Sequence, residues 1–555
     1  MRISSSKIIL GTCLLLLFGI CTYPFIILLQ KVILSGNDGE ITFKYILKIF
    51  NSSSTFLAIK NTIWVSVCSA LMGVILALPL SWLLTRTNLP RSNFLRSAFC
   101  LPYAIPPYIG AIAWIYLANP SNGILNNFLG VKFFNIYTNA GLIWVMGSFF
   151  YTFILLSLLS ALDRMDPSLE EAARLSGAGP IRIFFEITVP IIRPSLISGV
   201  LLVLLAAAAS FGVPALIGNP AGIFLVTTKI YTYQKMGSMN GIHMAGSLSL
   251  ILLILAVIVL VANQKIISRG HFKTISGKSA RPSMIDLGPS KWPLFFLLTI
   301  LFNIFFMLPI FGILVSALSK IQGRFDIANF GLQNFSRVFF ETDETPRAFY
   351  NSFVLAIGVA SIAMILGMFM AYMQIKTKAK GRGLIEIFAS LPYATPGTVL
   401  ALALILTFSG SIFGMNFSLY NTLTLIGIAY LAKYLNFSIR TNADGLGQID
   451  DCLAEAARVS GASWWFTMKT IWFPLMKPAL VASWFLVFMP AFSELTMTIL
   501  LTGPGLETLG TLLFQLQEYG DASGGGAAVL ALVIIIFVGI INFLVKYFSK
   551  GKYGL

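Results

Sequence analysis

Charged residues are scarce in this 555-residue chain, where Asp, Glu, Lys and Arg together make up 11% of the sequence. Soluble globular domains carry about 25% charged residues, so the composition excludes an ordinary soluble fold. Hydrophobic residues reach 57%, and the mean hydropathy is +0.85. No basic stripe with interleaved aromatic residues accompanies the net charge of +17, so we expect no nucleic-acid partner. The composition predicts an all-α membrane protein whose solvent is the lipid bilayer.

The usual signals of a metal or nucleotide site are missing as well. The five cysteines form no CxxC pair, and His243 and His271 stand apart from each other, so we assign no metal site and expect no disulfide framework. No GxxxxGK[ST] sequence occurs, so the chain lacks the loop that holds ATP phosphates. Because no polar catalytic cluster is present either, we expect neither an enzyme nor a cofactor in this chain by itself.

Long apolar runs are what the sequence has instead. A membrane-spanning helix needs about 20 mostly apolar residues. The first run lies near the N-terminus and is not followed by a small-residue cleavage site, which indicates an uncleaved span. About twelve spans are predicted, at 8–30, 61–85, 97–118, 140–161, 192–217, 243–263, 292–317, 351–374, 387–409, 418–438, 477–502 and 525–547.

The basic residues between these spans predict the orientation of the chain. With both termini in the cytoplasm, the inner segments hold 26 of the 38 Lys and Arg residues and the outer segments hold 11. The positive-inside rule selects this orientation, which corresponds to a bacterial inner membrane with cytoplasmic N- and C-termini. Six spans in each half return the chain to the same side, so the halves are parallel and not inverted.

The two halves are copies of one unit. The segment 166–180 (DPSLEEAARLSGAGP) matches 450–464 (DDCLAEAARVSGASW) at nine of fifteen positions. Earlier in each half LPYA occurs at 101–104 and 391–394, and Asn61 and Asn351 open the second span at the same offset. We therefore predict a first unit at 1–263 and a second at 292–555. A basic cytoplasmic linker, 264–291, joins them.

The repeated segments, within predicted loops at 163–191 and 441–475, read as a helix, a turn and a helix. Asp166 and Asp450 are good helix caps, and Gly177 and Gly461 can take the left-handed conformation that ends a helix. A second short helix is predicted from about Pro180 towards Pro190. A buried Glu in such an element could be satisfied by groups of a partner protein. A plain connecting loop would not explain the nine shared residues, so we predict a docking element.

These loops resemble the EAA loop of binding-protein-dependent ABC permeases, in which EAA is followed by three residues and Gly. Each copy matches that pattern in full, and the matching residues are Glu171, Ala172, Ala173, Gly177, Glu455, Ala456, Ala457 and Gly461. The resemblance covers essentially the whole chain, one permease unit in each half. It implies the type I ABC importer fold, in which each loop forms a coupling helix that docks on the ATPase subunit.

The same resemblance implies the partners. Two copies of a cytoplasmic ATPase would bind ATP and Mg and engage one loop each. A periplasmic or lipid-anchored binding protein would deliver the substrate to the outer loops. Fused units of this length are most similar to the ferric-iron importer permeases, which implies iron(III) as the substrate. Thiamine, phosphonate, sulfate and polyamine permeases share the unit and stay open as alternatives, as does an ATP-independent secondary transporter.

Charges inside the predicted spans are candidates for the translocation pathway, because they are costly in the bilayer. Glu494 lies in the eleventh span and Lys433 in the tenth, and the counterpart of Glu494 in the first half is Ser210. Both charges could instead lie near span ends or pair with each other. One carboxylate is not an iron site, and the sequence shows no cluster of Tyr, His and Asp ligands beside it.

Overall fold

The architecture was analysed in a computed structural model that describes residues 5–34, 40–269, 284–410, 418–520 and 524–548. These residues form helices, and their only β-type pairings are the isolated bridges Thr87–Ile285 and Ser319–Phe330. In a bilayer a helix satisfies its own backbone groups, which explains why long apolar runs fold this way. The predicted all-α membrane fold is confirmed.

Each half follows the same order of helices, apart from short connecting turns. The first half contains α1 (Ile8–Ile33), α2 (Ser53–Arg86), α3 (Ser92–Ala104), α4 (Pro107–Ala118), α5 (Asn139–Arg164), α6 (Ser168–Leu175), α7 (Pro180–Ala209), α8 (Val226–Lys235) and α9 (Met239–Arg269). The second half contains α10 (Gly288–Leu318), α11 (Glu344–Ile375), α12 (Leu384–Ala394), α13 (Gly397–Phe408), α14 (Leu423–Gly447), α15 (Cys452–Val459), α16 (Trp464–Phe492), α17 (Thr498–Leu501), α18 (Leu509–Tyr519) and α19 (Gly526–Phe548).

The helices account for the predicted spans. Among the described residues nine helices are long and apolar enough to cross a membrane, and eleven are counted if each of two bent pairs is one span. The tenth predicted span falls on α14, whose Lys433 and Arg440 lower its hydropathy. It occupies the place in the second half that α5 occupies in the first.

Two predicted spans are not straight helices. The span predicted at 97–118 breaks into α3 and α4, which meet at 97°, and the one at 387–409 breaks into α12 and α13 at 108°. Each break precedes a proline, Pro106 or Pro396, and the residue before it is extended. Proline removes a backbone donor and disfavours helix at the preceding residue, so these prolines explain the breaks.

Several predicted boundaries are also wrong. The fifth and eleventh spans, predicted at 192–217 and 477–502, start earlier, and their helices end at Ala209 and Phe492. The second helix of each repeated loop is not separate, because α7 and α16 run from the loop into the bilayer region without interruption. Helix α9 continues to Arg269, past the predicted start of the linker, and residues 270–283 of that linker, with His271, lie outside the described residues.

Outer helices of each half pack against the other half. Helices α1 and α9 of the first half pack against α13 of the second, and α10 and α19 of the second pack against α4 of the first. The first helix of each half is mostly exposed, since 28% of the apolar window in α1 and 22% of that in α10 are buried. The first spans therefore wrap the outside, and the broken helices lie between the halves.

Two adjacent polar residues of the second span, on α2 or α11, make equivalent hydrogen bonds in both halves. The Asn61 amide donates to the carbonyl of Phe224 at 3.2 Å, and the Asn351 amide donates to the carbonyl of Glu507 at 2.9 Å. The next residue, Thr62 or Ser352, accepts from the backbone N–H of the first turn of α8 or α18, at 2.9 Å in both cases. The duplicated asparagines thus fix the segment before α8 and α18 to the second span.

We predict that Asn351→Ala lowers the thermal stability of the detergent-purified full chain. Asn351 is buried, and its amide donates to the carbonyls of Gly505 and Glu507. A buried polar group left without a hydrogen-bond partner costs about 1–3 kcal/mol. The matched control is Asn303→Ala, because the Asn303 side chain is exposed and bonds only within its own helix. Equal unfolding temperatures for the two variants would contradict this role.

Candidate functional site

The repeated loops begin with the predicted caps. The Asp166 carboxylate accepts from the backbone N–H of Ser168 at 2.9 Å, and the Asp450 carboxylate accepts from that of Cys452 at 3.0 Å. These hydrogen bonds lower the pKa of both carboxyl groups, because they favour the charged form. The helices α6 and α15 begin two residues after each aspartate.

The loops end in the same way in both copies. Gly177 and Gly461 have φ angles of 82° and 77°, and a Cβ atom at either position would meet open space. Glycine is therefore favoured at these positions by the backbone conformation and not by a lack of space for a side chain. The N–H after each glycine donates back to the carbonyl of Ala173 or Ala457, at 3.0 Å and 2.9 Å. This bonding closes the last helical turn, as the Gly spacing predicts.

The buried glutamate of the first loop is Glu170, and its partner belongs to the same chain. Its carboxylate lies 2.8 Å from Nε of Arg86 in an ion pair, and both side chains are 2% exposed. The Nε–H of Arg86 does not form a hydrogen bond with this oxygen. The Thr188 hydroxyl donates to the other carboxylate oxygen at 2.6 Å. Arg86 also donates to the carbonyl of Leu162 at 3.0 Å. Glu170 therefore needs no group of another protein to satisfy its carboxylate.

The second loop is attached by different chemistry at the equivalent positions. Lys376 replaces Arg86, Ala454 replaces Glu170 and Trp472 replaces Thr188. Lys376 donates to Asp451 and to the carbonyl of Ile449, both at 2.6 Å, and its ammonium group lies 5.1 Å from the centre of the Trp472 ring. Ala454 packs against an apolar cluster that contains Trp472. A basic residue at the end of the second span thus holds the loop in both halves.

The residues of the EAA pattern itself lie at the surface. Gly177, Gly461, Glu455, Ala172 and Ala456 are exposed, and Glu171, Ala173 and Ala457 are partly exposed. Apolar side chains beside them are exposed at matching positions. The pairs are Leu169 and Leu453 (55% and 44% exposed), Leu175 and Val459 (90% each), and Ile181 and Trp465 (74% and 65%). We call these six side chains the loop surface.

Glu494 lies at the break between α16 and α17, and Lys433 lies within α14 with its ammonium group at the α12–α13 break. The Glu494 carboxylate accepts from the backbone N–H of Met497 and Thr498 at 3.0 Å and from the Thr498 hydroxyl at 2.7 Å, at the start of α17. The Lys433 ammonium group donates to the carbonyls of Tyr393 and Thr395, where α12 meets α13. Each charge therefore serves the backbone of a broken helix, and the two are not paired with each other.

Ser210, the counterpart of Glu494, lies close to the contact between the two halves. The Ser210 carbonyl accepts from the Thr227 hydroxyl at 2.7 Å. Two residues further on, a Cβ atom at Gly212 would lie 2.5 Å from Cβ of Tyr108, and the Tyr108 hydroxyl donates to the carbonyl of Ser493 in the other half at 3.0 Å. The sequence-predicted pathway residues thus lie on both sides of one closely packed contact.

Tyrosines lie near Glu494, although the sequence showed no such cluster. The Tyr430 hydroxyl is 2.5 Å from that of Thr498, which bonds Glu494, and the rings of Tyr430 and Tyr434 are 6.2 Å apart. Among the described residues there is no group of three or more His, Cys, Asp and Glu side chains that could hold a metal ion. The sequence has no local signal for this cluster, because its members lie on two helices about 60 residues apart.

The family of the chain follows from comparison with known proteins. A model of the binding-protein-dependent transport system inner membrane component family matches residues 69–266 and 363–552, once in each half. The chain belongs to this family and is the permease subunit of an ABC importer.

Two relatives that match most of the chain are ferric transport permeases. The chain is 26% identical to the ferric transport system permease protein FbpB of Actinobacillus pleuropneumoniae, over 97% of this chain and 78% of that protein. It is 26% identical to the Fe(3+)-transport system permease protein FbpB 2 of Haemophilus influenzae, over 88% of this chain and 90% of that protein. A permease chain from the crystal structure of a bacterial alginate ABC transporter, solved with its periplasmic protein, is 18% identical with a TM-score of 0.39, covering 48% of this chain and 97% of that one.

We predict that Glu170→Gln strongly destabilises the chain, because it leaves the buried Arg86 charge without its partner. Removing one member of a buried ion pair costs about 3–5 kcal/mol. The matched control is Glu186→Gln, which breaks an exposed pair with Arg182 in the same region, and exposed pairs contribute at most about 1 kcal/mol. Thermal unfolding of the purified variants measures both. If the two substitutions have the same effect, the ion pair does not hold the loop.

Proposed function

We propose that this permease imports iron(III) in a bacterial inner membrane. The observation that carries the proposal is the similarity to ferric transport permeases over nearly the whole chain, including both units. The chain offers no resident iron site among its described residues. A permease does not need one, because an external binding protein supplies the affinity and the permease supplies a path that opens and closes.

We infer that two ATPase copies dock on the loop surface, one at each repeated loop. Six apolar side chains exposed at equivalent positions of polar loops support this inference, since exposed apolar patches mark interaction sites. Glu171 and Glu455 would lie at the edge of these contacts, and ATP and Mg would be held by the partner. The contacts that Arg86 and Lys376 make with the loops would transmit movement of the ATPase to the second spans.

We propose that the loops and both termini face the cytoplasm, which the excess of Lys and Arg in the inner segments supports. The binding protein, periplasmic or lipid-anchored, would then dock on the opposite face of the molecule. The family is itself defined by dependence on a binding protein, which supports this partner.

Glu494, Lys433 and Ser210 have a positioning role in this proposal. Glu494 caps α17 and Lys433 holds the α12–α13 break, so both stabilise backbone that the bilayer cannot solvate. They would keep the pathway-lining segments in place beside the substrate.

We predict that Leu175→Asp combined with Val459→Asp abolishes ATP-driven uptake while the protein still inserts into the membrane. Two carboxylates in an apolar docking surface would prevent burial against the ATPase. Co-purification of the ATPase with the tagged permease measures the loss directly. The matched control, Ile327→Asp, alters a residue that is 93% exposed in another segment, and it should leave co-purification intact. Normal co-purification with the double variant would contradict docking at the loops.

We predict that deleting the gene reduces uptake of radiolabelled iron under iron limitation and that the gene on a plasmid restores it. Labelled thiamine, phosphonate, sulfate and polyamine, tested in the same strains, cover the alternative substrates that the sequence leaves open. Unchanged iron uptake with a loss of one of these would move the assignment to that substrate.

A further inference from the structure

A short helix, Lys44–Asn51, lies between α1 and α2 in the chain and packs against α2 and α9. We call it the connecting helix. It lies at the end of the molecule opposite the repeated loops, because Arg86, at the far end of α2, is the residue that holds the first loop. The connecting helix is therefore found where α1 and α2 leave the bilayer, on the side away from these loops.

One side of the connecting helix fastens it to the first half. Ile49 is fully buried. The Tyr45 hydroxyl donates to the side-chain oxygen of Asn240 at 2.8 Å, and the Tyr45 ring stacks on that of His243 with 4.7 Å between the ring centres. Asn240 and His243 both belong to α9. The orientation of the connecting helix about its own axis is fixed by these contacts.

The remaining surface of the connecting helix has an apolar side and a basic side. Successive residues of a helix are turned by about 100°, so Phe43, Leu47 and Phe50 lie on one side. These three side chains are 55%, 61% and 53% exposed. Lys44 and Lys48 are also exposed and lie about a third of a turn further round. Separate apolar and basic sides are typical of a helix that lies in the plane of a membrane interface.

The exposed apolar surface does not end with the connecting helix. Phe56 and Leu57, in the first turn and a half of α2, are 53% and 51% exposed, and Ile63 and Trp64 further along are 56% and 57% exposed. Exposed apolar side chains on a membrane-spanning helix contact lipid. The apolar side of the connecting helix is therefore continuous along the chain with the lipid face of α2, which favours lipid as its partner.

The second half does not repeat these two sides. The counterparts of Phe43, Lys44, Leu47 and Lys48, at the offset of 290 that relates Asn61 to Asn351, are Gln333, Asn334, Arg337 and Val338. Asn334 and Val338 are buried where the first half has exposed lysines. One unit of the pair thus folds without an exposed apolar and an exposed basic side at this place, so both sides are dispensable for the fold of the unit.

We propose that the connecting helix lies in the headgroup region of the leaflet opposite the repeated loops and binds anionic phospholipids. Its apolar side contacts the acyl chains, and Lys44 and Lys48 bind the phosphate groups, since the helix carries no acidic residue that would repel them. Because Tyr45 joins the connecting helix to α9, the bound lipid steadies the ends of α1, α2 and α9 together. The inference goes beyond the import function and depends on neither the substrate nor the ATPase.

Spin-label accessibility tests whether the apolar side lies in lipid. L47C is placed in the full-length chain whose five native cysteines are Ala, labelled with a nitroxide and reconstituted alone in vesicles of phosphatidylethanolamine and phosphatidylglycerol. The references are I75C, at a residue 71% exposed on the apolar surface of α2, and K380C, in the exposed turn before α12. The label at position 47 should collide with oxygen more than with a water-soluble nickel chelate, as at position 75. Accessibility equal to that of K380C would overturn the proposal.

Lipid-selective quenching tests the basic side. A bimane fluorophore on L47C should be quenched by spin-labelled phosphatidylglycerol at least about twofold more than by spin-labelled phosphatidylcholine at the same mole fraction. The exposed lysines are then changed in the same chain, and K44Q/K48Q should make the two lipids quench equally. Bimane on I75C is the matched control and should show no preference in either background. Equal quenching at position 47 with both lysines present would contradict binding of anionic lipid. Because no substrate or ATPase is used, a wrong import assignment leaves both results unchanged.

Discussion

Backbone polar groups inside a bilayer must find partners within the protein, and this structure depends on how its broken helices meet that requirement. Each half interrupts two helices at the level where the halves meet. Every interruption frees carbonyl and N–H groups that water cannot reach. Lys433 and Glu494 supply such partners in the second half, and the duplicated asparagines Asn61 and Asn351 supply them in both halves. Without these partners, unsatisfied backbone groups would destabilise the broken helices and the passage between the halves.

The duplication preserves geometry more strictly than it preserves residues. The asparagines make the same bond in both halves, yet the contacts that hold the loops use different residues. An ion pair with Glu170 in the first half becomes a lysine over Trp472 and beside Asp451 in the second. All three positions differ between the halves, and a buried charge left alone at the arginine or the glutamate position would be destabilising. What both halves keep is a basic residue that joins the second span to the loop.

Much of this architecture could be predicted from the sequence. The apolar runs, the duplication and the repeated loop indicated two six-span units with a helix that starts after Asp166 and ends before Gly177. The bends at Pro106 and Pro396 were missed, since hydropathy counts apolar residues and does not register a change in direction. The partner of Glu170 was also missed, because Arg86 lies 84 residues away in the chain.

The central claim is that this chain forms an ATP-driven passage whose two halves move together through two loops. Reconstitution of the chain in liposomes, with its ATPase inside and its binding protein loaded with iron(III) outside, tests it most directly. The account predicts that iron accumulates inside only when ATP and all three proteins are present. Accumulation without ATP, or without the ATPase, would contradict it.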